Sequence, residues 1–307
     1  MKTTTLLAAL FLTAPASLSM GSFALAQDSD GADAPGATPQ DAGPPPVGEP
    51  KSYTLPAVET YTLRNGMQVT LAKLGGVPKT TIRAVTRVGN LNDGKTPWIS
   101  DLTVDMLKEG AGGKSAAALA TAAAQMGGDV NVSVGLDQTT VAMDVLSEAA
   151  GEATALIADI LQRPDFPAAE FERVKTNRLR DLSVAASQPG TIATAAFSNI
   201  VYPDHPYAAA VLPDPEGVGA ITLENVQKFH AENFGAARTH LYVAGNFDKR
   251  TVKRAIRQAF RKWDSGPALL SAPPGDSAGP QIVLIDRPGA VQSTIRLGKR
   301  VPSIDEN

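Results

Sequence analysis

The sequence predicts an α+β fold, a mostly antiparallel sheet with helices packed on it. Three observations predict it. Short segments alternate apolar and polar residues at a period of two, as in YTLRNGMQVTLAK, TTIRAVTRVG, QTTVAMDVL and HLYVAG. Several neighbours among them are joined by tight turns, which suits antiparallel pairing. Longer helical patterns stand between the clusters.

The 307 residues open on Lys2, an apolar run from Leu6 to Leu12 and a small-residue patch ending Ala24-Leu25-Ala26. This is the pattern of a secretory signal peptide, residues 1–26, and implies export to a periplasm or the outside. Residues 27–52 are rich in Pro, Gly, Ala and Asp and read as a disordered linker, because they have too little apolar surface to offset ordering entropy. A first domain is expected over 53–264, a second linker over 265–280, and the opening strands of a similar second domain over 281–307. Two strands with no helix after them suggest a fragment of a longer protein. No apolar run is long enough to span a membrane. Cysteine is absent, which excludes disulfides and thiolate metal sites. With a net charge of −3 and Lys and Arg read as scattered, a nucleic-acid partner is not expected.

Within the first domain, Asn65-Gly66 predicts a type I′ hairpin. TTIRAVTRVG continues as a strand into a Gly/Asn/Asp turn. The helix that follows is expected to be capped by Thr96, with Pro97 in its first turn, and to close at Gly110. An Ala-rich helix then stops at Gly127-Gly128. DVNVSVG and QTTVAMDVL are strands. Ser147 is expected to cap a helix, and AAEFERVKTNRLRDLSVAASQ forms a long one ending before Pro189. Thr222 caps ENVQKFHAENF, and KRTVKRAIRQAFRKW is the last helix before the second linker.

On the helix after the turn, Asp101, Val104 and Asp105 stand at i, i+3 and i+4 and share a face. That is the spacing of a helical His-x-x-Glu-His metal site. The consecutive pieces YTLRNGMQVTLAK, RVGNLND…DMLKEGAGGKS, AAAQMGGDVNVSVGLDQTTVAMDVL, DFPAAEFERVKTNRLRDLSVAASQP, YPDHPYA and HLYVAGNFD resemble the M16 (pitrilysin/insulinase-like, mitochondrial-processing-peptidase-like) zinc metallopeptidases. The resemblance covers about residue 57 to 307 and implies the M16/LuxS-like metallohydrolase domain.

In active members of that family two histidines and a later glutamate hold zinc, and a glutamate between the histidines is the general base. The alignment places the ligand positions at Asp101, Asp105 and Asp181, and the base at Val104. Valine cannot accept a proton, and general-base assistance is worth about 10²–10⁴ in rate. No catalytic residue and no metal or other cofactor are therefore expected. Three carboxylates without imidazole would suit Mg²⁺ or Ca²⁺ better than Zn²⁺, but the plainer expectation is that Asp101 and Asp105 lie on a solvated helix face. The charges from Glu170 to Arg180 are read as another solvated face. His205, His230 and His240 form no replacement motif and are read as structural.

The resemblance also implies that the strand holding Asn131, Val132 and Ser133 is an edge that accepts peptide as an added strand, with Gly127-Gly128 leaving room. The implied function is a non-catalytic, insulinase-like periplasmic subunit supporting proteolysis by an active M16 partner. The alternatives are a non-enzymatic binding or assembly protein on the same fold and, last, an active metallopeptidase with a degenerate site.

Overall fold

The computed structural model describes residues 48, 54–273, 275 and 279–301. The expected signal peptide and almost all of the first linker lie outside the described residues. The chain divides into Met1–Tyr53 and Thr54–Asn307, and the described helices and strands all lie in the second unit.

The elements in order are β1 (Val58–Thr62), β2 (Gln68–Lys73), β3 (Lys79–Thr86), α1 (Ile99–Leu107), β4 (Gly110–Ala111), β5 (Lys114–Ser115), α2 (Ala116–Gln125), β6 (Val130–Val134), β7 (Thr139–Leu146), α3 (Ala150–Gln162), α4 (Ala168–Ser187), α5 (Pro189–Val201), α6 (Pro206–Ala209), α7 (Pro215–Gly219), α8 (Leu223–Asn233), β8 (Thr239–Gly245) and α9 (Lys249–Phe260). Six strands form one sheet in the order β1-β2-β8-β3-β7-β6, and β4 and β5 form a separate small ladder. Only the β2–β8 pair in the large sheet is parallel. The predicted α+β class with a mostly antiparallel sheet is what the chain adopts.

The period-two pattern decides which face is buried. Val69, Leu71, Ile82, Ala84, Val141, Met143, Val145, Leu241 and Val243 all point inward against Leu102, Met106, Ile157, Ile160, Ile256 and Phe260 of α1, α3 and α9. The intervening residues, such as Arg83, Asp144 and Tyr242, are exposed on the opposite face. A one-residue slip in any strand would exchange the two sets.

Several local expectations give way to tertiary contacts. The β1–β2 hairpin forms, but its loop is not type I′, which needs positive φ at both central residues. Only Gly66 has one, at 89°, and the loop closes with the Leu63 N–H donating to the Met67 carbonyl at 2.8 Å. The Asn65 side chain instead donates to the carbonyls of Phe260 and Trp263 (2.8 and 2.9 Å), tying the hairpin to the end of α9. Ser147 does not cap α3: residues 147–149 form a 3₁₀ turn and its buried hydroxyl has no partner among the described residues. Thr222 does cap α8, its hydroxyl accepting from the Asn225 N–H.

Residues 281–287 and 292–300, expected as strands, form no ladder. A strand needs a partner for its backbone groups, and Ile282, Leu284, Val291 and Leu297 are more than nine-tenths exposed. The expected second linker is tied down where it leaves α9. The buried Arg238 donates to the Pro267 and Ala268 carbonyls (both 3.1 Å), and His205 Nε2 lies 2.7 Å from the Ala272 carbonyl oxygen.

Candidate functional site

The turn before α1 is built on Asp93. Its Oδ2 accepts from the Trp98 N–H (2.9 Å) and its Oδ1 from the Ser100 N–H (3.0 Å), so Asp93 satisfies the free donors that Thr96 was expected to cap. The helix consequently starts at Ile99, two residues later than Pro97 suggests. Trp98 is forced into the left-handed region at φ 67°, which costs a side-chain-bearing residue about 1–2 kcal/mol. Its indole N–H donates to the Ala210 carbonyl at 2.8 Å, which fixes the ring. Asn90 joins the pieces: its amide donates to Asp93 Oδ2 (3.1 Å), Ser100 Oγ (3.0 Å) and Asp101 Oδ2 (2.6 Å).

Asp101 is thus not on a solvated face. It is only 8% exposed, because α4 packs across α1. The residue of α4 that meets it is Arg178. The Arg178 Nε donates to Asp105 Oδ2 at 2.7 Å, and Nη1 lies 3.5 Å from Asp101 Oδ1. The guanidinium also stands over the Trp98 ring, 5.6 Å from its centroid. Lys108 adds a longer contact to Asp105 at 3.7 Å. Burial pushes the Asp101 carboxyl above the usual carboxylate range; Arg178 is the main influence pulling it back, followed by the Asn90 hydrogen bond. Burial likewise raises Asp93 to about 6 against the hydrogen bonds from Ser100, Asn90 and Trp98.

The positions aligned with a zinc site therefore separate. Asp101 and Asp105 come together, Val104 is 2% exposed in the core, and Asp181 is exposed on α4. Among the described residues no three His, Cys, Asp or Glu side chains are grouped so as to hold a metal. The donor set does not fit zinc: there is no imidazole, and a guanidinium already spans both clustered carboxylates, where its charge would repel a second cation. The solvated-face reading of the α4 charges holds for Glu170 and Arg173 (2.7 Å) and fails at Lys175 and Arg178, whose side chains are 15% and 22% exposed.

A signal for Arg178 was present. Phe171, Val174, Arg178 and Leu182 follow i, i+3, i+7 and i+11, and the other three are buried. A lone arginine on an apolar stripe calls for an acidic partner.

The strand with Asn131, Val132 and Ser133 is β6, at the end of the strand order and, among the described residues, paired only with β7. Val130, Val132 and Val134 lean on the core, while Asn131 and Ser133 are exposed and line a shallow depression of about 290 Å³ with Arg83, Asp129, Thr140 and Asp144. α1 packs on the same strand. Gly127 and Gly128 do not make room for a ligand, however. A Cβ on Gly128 would stand 1.9 Å from the Asp144 carbonyl oxygen, and Gly127, at φ 80°, meets Leu146 at 2.9 Å. Their space is used by β7.

All three histidines have hydrogen-bonded structural places. His205 caps α6, accepting from the Tyr207 N–H. His230 Nε2 lies 2.9 Å from the Leu161 carbonyl oxygen between Phe166 and Phe234. His240 bridges Thr70 and Tyr242 (2.8 and 2.9 Å).

Comparison with known proteins identifies the family and the fold. The family described as insulinase (peptidase family M16) matches residues 69–214, and the peptidase M16 inactive domain matches 220–307. An uncharacterized zinc protease of Rickettsia bellii is 25% identical over 206 residues, covering 66% of this chain and 50% of the relative. A probable mitochondrial-processing peptidase subunit beta of Arabidopsis thaliana is 23% identical over 80% of this chain and 48% of its own length. The chain spans about half the length of these relatives. Among solved structures, a peptidase M16 inactive domain from Pseudomonas fluorescens superposes with a TM-score of 0.67 at 26% identity, covering 72% of this chain and 54% of the other. The periplasmic protease PqqL from Escherichia coli shares the fold, with a TM-score of 0.62 at 13% identity over 72% of this chain and 26% of that protein. Two matches from one family, together running from β2 to the last residue, show that this chain belongs to the M16 (insulinase) peptidase family.

Proposed function

We propose that this chain is a non-catalytic M16 subunit, exported to the periplasm, that offers the β6 edge to peptide and supports proteolysis by a separate zinc-bearing M16 partner. The observation that carries the reading is Arg178. Where an active member would gather its metal ligands, this chain pairs Asp101 and Asp105 with an internal cation and fills the base position with buried Val104. With no group at 104 able to take a proton from water, hydrolysis by the family's route loses its general base. The β6 edge keeps one row of backbone groups free to pair an extended peptide. The signal-peptide pattern at residues 1–26 supports export, and the fold shared with a periplasmic protease is in keeping with it.

The test is to incubate the purified chain alone with an unstructured fluorescent peptide, with and without a chelator, and to measure its bound metals after dialysis. Binding without cleavage, and no stoichiometric zinc, is the expected result. Cleavage by the lone chain that a chelator stops would overturn the reading.

A further inference from the structure

Although the chain carries a net charge of −3, helix α9 and its end concentrate cations: Lys249, Arg250, Lys253, Arg254, Arg257, Arg261 and Lys262. Val252, Ile256 and Phe260 bury the opposite side of the helix in the core, so the cations are displayed outward. Glu59 neutralises Lys249 (2.9 Å) and Lys253. Arg250, Arg254, Arg257 and Arg261 follow i, i+4, i+7 and i+11, a single stripe about 16 Å long. All four are exposed, and among the described residues none forms an ion pair.

The stripe has an apolar neighbour. The loop between β2 and β3 is held beside the residues leading into α9: the Leu74 N–H donates to the Gly245 carbonyl and the Asn246 N–H to the Lys79 carbonyl, both at 2.9 Å. Leu74 and Val77 on that loop are 45% and 65% exposed.

We propose that this face binds an anionic phospholipid surface, the four arginines meeting headgroup phosphates while Leu74 and Val77 enter the boundary with the acyl chains. A nucleic acid would ask only for the cations and leave the two apolar side chains without a place. A lipid surface uses both, since interfacial binding combines apolar area with attraction to anionic headgroups. Guanidinium groups suit phosphate because they offer paired donors in one plane. Each cation near such a surface contributes about a fivefold gain in partitioning.

The experiment is co-sedimentation of the whole chain with vesicles of phosphatidylglycerol and phosphatidylcholine, and with phosphatidylcholine alone, at low and high salt. Binding should require phosphatidylglycerol and weaken with salt. Replacing the four arginines together (R250Q, R254Q, R257Q, R261Q) should lower it by about two orders of magnitude or more. The pair Leu74→Ser and Val77→Ser should lower vesicle binding several-fold and leave any binding to a double-stranded DNA fragment unchanged. Equal binding to both kinds of vesicle, retention by the four-glutamine variant, or DNA binding as tight as vesicle binding would each overturn the proposal. All six side chains are exposed and outside the core, and circular dichroism of the variants verifies that they fold.

Discussion

Removing Arg178 should destabilise the chain in a way that depends on pH. In Arg178→Ala, Asp101 and Asp105 lose the cation between them, while Asp101 stays buried under α4 with only the Asn90 amide to satisfy it. Taking one partner from a fully buried pair costs about 3–5 kcal/mol. Here the three side chains are 12–23% exposed, so solvent screening reduces the cost to about 2–3 kcal/mol.

The pH dependence comes from Asp101. Its folded carboxyl already lies above its ordinary value, and losing Arg178 removes the largest opposing influence, so the folded value rises further. A carboxyl raised in the folded state binds its proton more tightly there than in the unfolded chain. Stability is therefore greatest below the unfolded value and falls as pH rises through the folded one. The variant should approach wild type only below the unfolded value of 3.8 and be fully destabilised at pH 8, as read by urea unfolding followed by circular dichroism. Adding Asp101→Asn should restore part of the loss at pH 8, and Arg178→Lys should keep part of it, since an ammonium reaches one carboxylate where the guanidinium spans two. A variant equal to wild type at pH 8, or one whose deficit grows in acid, would refute the claim that Arg178 is the internal counter-charge.

Other outcomes can be checked in the same way. Asp93, held at about 6 by burial, should make wild-type stability fall by about 3 kcal/mol as pH rises from below its unfolded value of 3.8 through 6. Asp93→Asn should flatten that slope in a pH series of unfolding curves. Gly128→Ala should cost about 3 kcal/mol, because its methyl would meet the Asp144 carbonyl rather than a movable side chain; a neutral effect would mean that β7 can shift. Restoring histidine at 101 and 105 and glutamate at 104 should not by itself yield chelator-sensitive cleavage, because Arg178 still fills the space and Asp181 points to solvent. A peptidase assay on the triple variant measures it directly.

Much of the fold could be read from the sequence because its cause is local. The period-two strands, the glycine stop after α2, the α8 cap and the long α4 pattern depend on residues a few positions apart, and the structure contains each of them. Family membership was legible for a related reason: order and spacing survive even when the chemistry at a position changes. What stayed hidden was set by pairs distant in the chain. β8 enters the sheet between β2 and β3, and residues 281–301, though rich in strand formers, form no ladder. Asp93 in place of Thr96 as the cap, Asn65 reaching to α9, and Gly128 pressed against β7 are likewise contacts that no local propensity encodes.

The clearest division is at the site itself. By itself the sequence determined that position 104 has no base and that positions 101 and 105 have no imidazole, since those are facts of side-chain chemistry. Only the tertiary structure decided what the two aspartates do: the crossing of α4 over α1 buries Asp101, turns Asp181 outward and sets Arg178 between the carboxylates. A buried carboxylate must find a partner or give up its charge, and which side chain stands opposite is a property of how the helices pack.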